Sequence, residues 1–435
     1  MTEFLTISSD AAASLVAGAG DMQPVRGLTH GFYRYPARFS GVFARACIEA
    51  FTQPGDVVMD PHVGGGTTLV EALALGRDAV GIDISSLAEF VATVKTTVYM
   101  EEELGILERW ARKLPDAIDL RKMSIYFQDD FERGYYKHLN HPKRWRARKA
   151  IEQALGSAIS LPGHLEDFGR CVVLRTAQIA LDGRKSAMKI SVMRELFGEH
   201  AIENVEGARL FREKVIAHGA IPTVQILNRT SDGIDKDKRL ASMRPPRLVV
   251  TSPPYPGVHV LYHRWQVGGG RETAAPFWIA KKLDGSGSSY YTMGDRKAPA
   301  RAGYFEKVGA TMGSVARLCD ASTMFVQMLA FGEPKWQLPE YLQTMEAAGL
   351  EEVMLPSLGG KGDGRLWQSV PNRKWYSDQR GQTPGSQEVV LLHRLRRSEG
   401  GVKRPALLDH SHLPPPSPDL RGSGSSEELW VQPPE

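Results

Sequence analysis

The sequence predicts an α/β fold: a mostly parallel sheet with helices on both faces and a helical insertion. Three observations carry that expectation. Short apolar runs alternate with helical stretches from about 41 to 100 and again from about 221 to 395. Three consecutive glycines, Gly64, Gly65 and Gly66, stand between a strand-like run and a helix-like run. Between the two alternating regions, residues 101–220 carry helical patterning with few strand signals.

In chain order, residues 1 to about 24 read as a small, polar lead-in. GVFARACIEAF (41–51) reads as a helix, DVVMD (56–60) as a strand, and TTLVEALALG (67–76) as a helix closed by Gly76. DAVGIDI (78–84) completes a β-α-β unit. The insertion holds EEELGILERWARKL, HPKRWRARKAIEQAL, LRTAQIAL and ARLFREKVIAHG, all of helical character. Strand signals return at TVQIL and RLVVTSPPY. A stretch rich in Gly, Ser and Arg follows (266–302), then a helix over about 303–319, the strand STMFVQMLAF, the helix QLPEYLQTMEAAG, EEVMLP, and a final strand, QEVVLLHRL. The expected division is 1–100 as the first part of the sheet domain, 101–220 as the insertion, 221–397 as the second part, and 398–435 as a disordered tail rich in Pro, Gly, Ser and charge.

Composition bounds the function. The chain has 435 residues, 42% hydrophobic and 24% charged, with a formal net charge of +4. That bias is compatible with a nucleic-acid partner without demonstrating one. Cys47, Cys171 and Cys319 are far apart and lack metal-ligand spacing, so neither a zinc site nor a disulfide framework is expected. The N-terminus reads as no signal peptide, and no run of 18 apolar residues suggests a membrane span; a cytoplasmic location is the expectation.

The glycine loop narrows the chemistry. DPHVGGGTT runs from Asp60 to Thr68, and Asp83 follows Gly64 by 19 positions at the end of the second strand. Glycines there let backbone approach a ligand, and an acid at that spacing accepts hydrogen bonds from ribose hydroxyls. The pattern indicates a nucleoside-containing cofactor on a Rossmann-like sheet. The third glycine of a dinucleotide motif is missing, and no lysine follows the glycines, which excludes a phosphate-binding P-loop. Asp60 suits a positively charged amino group, which S-adenosylmethionine carries and NAD does not.

Three segments together resemble the DNA amino-methyltransferases. DPHVGGGTT is similar to their D-P-F-x-G-x-G-T-T loop, TSPPY to their [S/D/N]-P-P-[Y/F/W] motif, and Tyr35-Pro36-Ala37-Arg38-Phe39 to their Y-P-A-[K/R]-F segment. The resemblance covers about 25–100 and 221–395 and implies a methyltransferase sheet that binds S-adenosylmethionine. The implied cofactor residues are Tyr35, Pro36, Ala37, Arg38, Phe39, Asp60, Pro61, Gly64, Gly66, Thr67, Thr68, Asp83 and Ile84. Ser252, Pro253, Pro254 and Tyr255 are the implied catalytic residues. Serine at the first position, preceded by Thr251, is most similar to the cytosine-N4 branch; the adenine-N6 branch more often has Asp or Asn. His62 stands where that family usually has Phe. A polar residue touching the adenine is expected before the catalytic strand, from Asn228 or Asp232.

Physical chemistry supports the motif. An exocyclic amino nitrogen is a poor nucleophile because its lone pair is delocalised into the ring. Acceptors on both N–H groups localise that pair; the Ser252 hydroxyl and Pro253 carbonyl supply them, on a strand exit stiffened by Pro253-Pro254. Tyr255 offers a stacking face for an extruded base, worth ~1–3 kcal/mol. Methylation at cytosine C5 is rejected because it needs a cysteine nucleophile, and position 252 is serine.

Double-stranded DNA is the implied partner, with a restriction endonuclease or a defence-system subunit as a companion. HPKRWRARKA places Lys143, Arg144, Arg146, Arg148 and Lys149 around Trp145, a phosphate-tracking patch or a basic helix paired with acids such as Glu152. Arg264 and Arg271 are candidates for the catalytic mouth. LWQSVPNRKWY, with Trp367 and Trp375, reads equally as base contact or core packing. Two other classes stay open: methylation of an RNA or protein amide, and a DNA-binding subunit without turnover.

Overall fold

The computed structural model describes residues 3–4, 7–21, 23, 27–35, 39–256, 263–285, 288–294, 303–355, 364–369 and 387–396. Its strands are β1 (Glu3–Phe4), β2 (Val57–Asp60), β3 (Asp78–Asp83), β4 (Val224–Asn228), β5 (Leu248–Thr251), β6 (Trp265–Val267), β7 (Arg271–Thr273), β8 (Met324–Ala330), β9 (Leu350–Met354), β10 (Leu366–Ser369) and β11 (Gln387–Leu395).

Nine of these strands form one sheet in the order β1-β9-β11-β8-β5-β2-β3-β4, with β10 paired to β11. From β4 through β8 every neighbouring pair is parallel. Parallel strands bury both faces, so β2 (VVMD) and β5 (LVVT) are fully buried and apolar up to their last residues, Asp60 and Thr251. β11 runs antiparallel between β8 and β9. The chain leaves β2 for β3 and β4 on one side, then crosses to β5 on the other. The strand order therefore reverses between β2 and β5, and the crevice outside their carboxyl ends is where such sheets bind ligands.

The helices Glu101–Lys113, Gln128–Glu132, Trp145–Ile159, Leu165–Leu181 and Ile190–Ile216 all lie between β3 and β4. Their core includes Leu104, Phe168 and Phe197, and it is continuous with Tyr33 and Tyr35, with Phe90 of the helix Ser86–Thr96, and with Trp265 and Phe277. The insertion is thus packed onto the edge that carries the glycine loop. No helix among the described residues is long and apolar enough to cross a membrane.

Three expectations are corrected. The N-terminal lead-in contains a helix, Ser9–Ala19, capped by the Ser8 hydroxyl accepting from the Ala11 N–H at 3.1 Å. Its small residues hide an apolar stripe, Ala12, Leu15 and Ala19, buried against Gly41–Phe51. The Gly/Ser/Arg stretch contains the antiparallel hairpin β6–β7 and the buried helix Ala275–Ala280. In the tryptophan-rich loop, 366–369 form β10; Trp367 packs on the core, while Trp375 lies outside the described residues, as does the expected tail.

A Cβ on Gly18 would stand 2.8 Å from the Phe43 Cα, so glycine sets how closely the first two helices approach. Gly18→Val is expected to lower unfolding stability by roughly 1–3 kcal/mol through overpacking, read as a lower urea midpoint. Gly31→Ala, where a Cβ would meet nothing within 4 Å, should leave that midpoint in place.

Candidate active site

The glycine loop is folded by its own acid. Asp60, at the end of β2, is 2% exposed. Its carboxylate accepts from the Thr68 hydroxyl at 2.8 Å and from the His62 N–H at 3.1 Å. Burial pushes its carboxyl up to about 6. Asp60 therefore staples strand end to helix start. These donors hold its carboxylate against the loop.

Gly64 and Gly66 adopt left-handed φ values of 47° and 76°. A Cβ on Gly65 would lie 2.8 Å from the Tyr35 Cβ. Tyr35 is buried directly against this loop, so the Y-P-A-R-F segment and the glycines form one packed unit. Phe39 is buried edge-on to Phe43. Pro36, Ala37 and Arg38 lie outside the described residues. Thr67 and Thr68 are buried in the first turn of Thr67–Ala74.

Asp83 ends β3 beside this loop. One carboxylate oxygen accepts from the Gly64 N–H at 2.9 Å and the other from the Ser85 N–H at 2.8 Å. Burial raises its carboxyl to about 6. Each oxygen retains a second lone pair for a further donor. Ile84 is partly buried against the insertion core. Asn228 is the cross-strand partner of Asp83 and donates to its backbone carbonyl at 3.0 Å. The Ser231 hydroxyl donates to the Pro61 carbonyl at 2.6 Å. Of the two polar candidates, Asn228 stands beside Asp83, whereas the Asp232 carboxylate lies 3.5 Å from the Ser314 hydroxyl.

Two supporting residues escaped the sequence reading. Lys95 is buried in the helix Ser86–Thr96, and its ammonium donates to the Gly65 carbonyl at 3.0 Å and the Tyr33 carbonyl at 3.2 Å. A lysine amid FVATVKTT was the available signal. His263 is buried with its Nδ1 3.1 Å from the Tyr35 hydroxyl and 3.0 Å from the Ser85 hydroxyl, and its ring stacks on Tyr291. Burial and the nearby Arg264 lower its pKa to about 3, so the ring is neutral.

The second motif leaves β5 next door. His62 Nδ1 lies 3.1 Å from the Thr251 hydroxyl, which ties the glycine loop to the end of β5. Burial lowers the His62 pKa to about 4, so a neutral imidazole fills the usual Phe position. Pro253 is buried; Ser252, Pro254 and Tyr255 are partly exposed. The Ser252 hydroxyl donates to the Tyr255 oxygen at 3.4 Å, and the Tyr255 hydroxyl donates to Glu388 at 2.7 Å.

The basic run is not one patch. Arg144 is buried and donates to the His138 carbonyl at 2.8 Å. Arg148 pairs with the buried Glu152 at 2.8 Å, and Lys149 donates to the Leu120 carbonyl at 2.7 Å. Lys143 and Arg146 are exposed, with Arg146 5.4 Å from the ring centre of the exposed Trp145. Helical spacing turned the other three cations toward the insertion interior. Arg264 is likewise held by Asp284, with Nε at 2.9 Å. Arg271 is exposed on the hairpin.

With this geometry in place, likeness to known proteins is informative. Residues 20–93 match the N6/N4 methyltransferase family described as DNA methylase. The chain is 33% identical over 75 residues to the type II methyltransferase M.MjaII of Methanocaldococcus jannaschii, covering 17% of this chain and 14% of that one. It is 33% identical over 119 residues to the type II methyltransferase M.MvaI of Kocuria varians, covering 26% and 24%. It is 36% identical over 66 residues to the DNA adenine methyltransferase YhdJ of Escherichia coli, covering 15% and 22%. The matched segment spans a quarter or less of the length of each relative.

Lys95→Met would leave the Gly65 and Tyr33 carbonyls without this donor in a dry interior. The expected cost is about 1–3 kcal/mol of stability, measured by urea unfolding, together with faster amide hydrogen exchange in the glycine loop.

Proposed function

We propose that the chain is a DNA amino-methyltransferase that takes methyl from S-adenosylmethionine and delivers it to the exocyclic amino group of a flipped base, cytosine N4. One observation carries the reading: at the point where strand order reverses, the glycine loop and SPPY stand side by side, joined by His62 and Thr251. The match of residues 20–93 to DNA methylases agrees with it.

The residues present fit the cofactor. Asp83 has acceptor capacity for a ribose diol, Asn228 lies beside it, and Gly64, at the turn of the loop, keeps partly exposed backbone with no side chain of its own. Tyr35 packs against Gly64 and Gly65, Thr68 ties the following helix to Asp60, Thr67 is buried beside it, and the Pro61 carbonyl accepts from Ser231. S-adenosylmethionine supplies an electrophilic methyl group on sulfur. Ser252 and the Pro253 carbonyl accept from the substrate N–H groups, the Pro253-Pro254 pair fixes their direction, and Tyr255 stacks on the base. No covalent enzyme intermediate is required. Burial raises the thiols of Cys171 and Cys319 to about 12 and that of Cys47 further, which disfavours cysteine-dependent C5 chemistry.

DNA would meet Lys143, Trp145 and Arg146 on the insertion and Arg271 on the hairpin, all exposed. The type II naming of two relatives suggests a companion restriction endonuclease. Adenine N6 is the second reading, favoured by the Escherichia coli relative; serine at position 252 favours cytosine.

The test is tritiated methyl transfer from S-adenosylmethionine to double-stranded DNA, followed by nucleoside mass spectrometry. N4-methylcytosine is expected, and Ser252→Ala should lower kcat by roughly 10²–10³, as loss of one preorganised hydrogen-bonding group does. N6-methyladenine would replace the cytosine assignment. Unchanged turnover in Ser252→Ala would sink the site.

Asp83 adds a pH dependence. Ionised, its carboxylate offers acceptors on both oxygens to the ribose hydroxyls; protonation turns one of them into a donor, and the group titrates near 6. Calorimetric affinity for S-adenosylmethionine should weaken as pH falls through about 6. Asp83→Asn should remove that part of the dependence and bind more weakly at pH 7.5.

A further inference from the structure

We propose that Glu388 is a positioning residue that fixes the direction of the hydrogen bonds at SPPY, so that Ser252 meets the substrate amino group as an acceptor. The inference rests on the amino-methyltransferase reading above. A serine hydroxyl is both donor and acceptor. Pointed at the substrate nitrogen, its proton would occupy the lone pair that must attack the methyl group. An aspartate at this position has no such ambiguity when ionised; a serine needs its proton directed elsewhere.

The structure supplies that direction from a distant strand. Glu388 is the second residue of β11, opposite Gln368 of β10 and Ala330 of β8. Because β11 is antiparallel to β8, its beginning reaches the carboxyl edge of the sheet, where Thr251 and Ser252 leave β5. Glu388 is 7% exposed. One of its oxygens accepts from the Gln368 side-chain amide at 2.7 Å and the other from the Tyr255 hydroxyl at 2.7 Å. With its hydroxyl donating to Glu388, Tyr255 turns an oxygen lone pair toward Ser252. The Ser252 proton points at Tyr255, and both serine lone pairs face away from that proton. The same tether fixes where the outer end of the Tyr255 ring, the proposed stacking face, lies.

The relay is tested with Glu388→Leu, Glu388→Gln and Tyr255→Phe in the full chain. Steady-state methyl transfer to DNA, cofactor affinity and the thermal midpoint are measured for each. Glu388→Leu and Tyr255→Phe should each lower kcat about tenfold, the scale of one oriented hydrogen bond, with KM for S-adenosylmethionine unchanged. Their combination should be no slower than the slower single variant. Glu388→Gln, whose amide oxygen still accepts the tyrosine proton, should stay within about threefold of wild type. If Glu388→Leu does not fold, Tyr255→Phe and Glu388→Gln still decide. Full kcat in Tyr255→Phe, or a loss in Glu388→Gln equal to that in Tyr255→Phe, overturns the relay. Absence of any methylated nucleoside with the wild-type protein is a different result, and it removes the functional reading itself.

Discussion

The pairing of β2 with β5 is the constraint on which the site depends. Val58 lies opposite Leu248 and Met59 opposite Val249, so the two strands end at nearly the same height. Everything proposed for the chemistry hangs from those ends: the glycine loop from Asp60, SPPY from Thr251. A slip of one residue would turn alternate side chains to the other face and separate His62 from Thr251. The long helical insertion between β3 and β4 does not disturb this register. Loop-closure entropy grows only logarithmically with length, and both ends of the insertion are anchored by a core shared with Tyr33, Tyr35 and Phe90.

Around that pairing the loops are held by polar groups as well as by apolar packing. Lys95, His62 and His263 each bridge segments distant in sequence, and Asp60 staples its own loop to the helix that follows. Such a network rigidifies a site because a missing partner in a dry region is costly. It also has a thermodynamic consequence. The carboxyls of Asp60 and Asp83 titrate near 6 when folded, above the ordinary aspartate value of 3.8. Between these values the native state binds more protons than the unfolded chain. Both acids therefore oppose folding increasingly as pH rises through that window, and protonation relieves the cost. Ionised acids in this place are tolerated at some expense to stability.

What was legible in the sequence was local. The strands flanking DPHVGGGTT and TSPPY, and the helices of the insertion, announce themselves by short-range periodicity. The β11 strand was legible as a strand, but QEVVLLHRL reads the same in either direction, so its antiparallel course was not. The Ser9–Ala19 helix was hidden because alanine and serine carry a weak apolar contrast. Charge misled for a related reason. Arg144, Arg148 and Lys149 look like a patch when counted along the chain, yet their partners are the His138 carbonyl, Glu152 and the Leu120 carbonyl. Only Glu152, at i+4, was near enough to suspect. His263 and Glu388 act through residues more than a hundred positions away, and no single sequence reveals that.

The corrected cation inventory changes where discrimination must reside. Of the basic run, Lys143 and Arg146 remain at the surface. Two phosphate contacts give a shallow dependence on salt, with a slope of about −0.9 for each phosphate neutralised. Under the proposed function, electrostatic attraction from this element is modest and carries no sequence information. Selection of the base then falls to the crevice itself, where fixed acceptors and a tethered aromatic ring accept only an amino-bearing base that can leave the stack. There, the geometry of Ser252, Pro253 and Tyr255 matters more than net charge. That geometry is set by β5 on one side and by the start of β11 on the other.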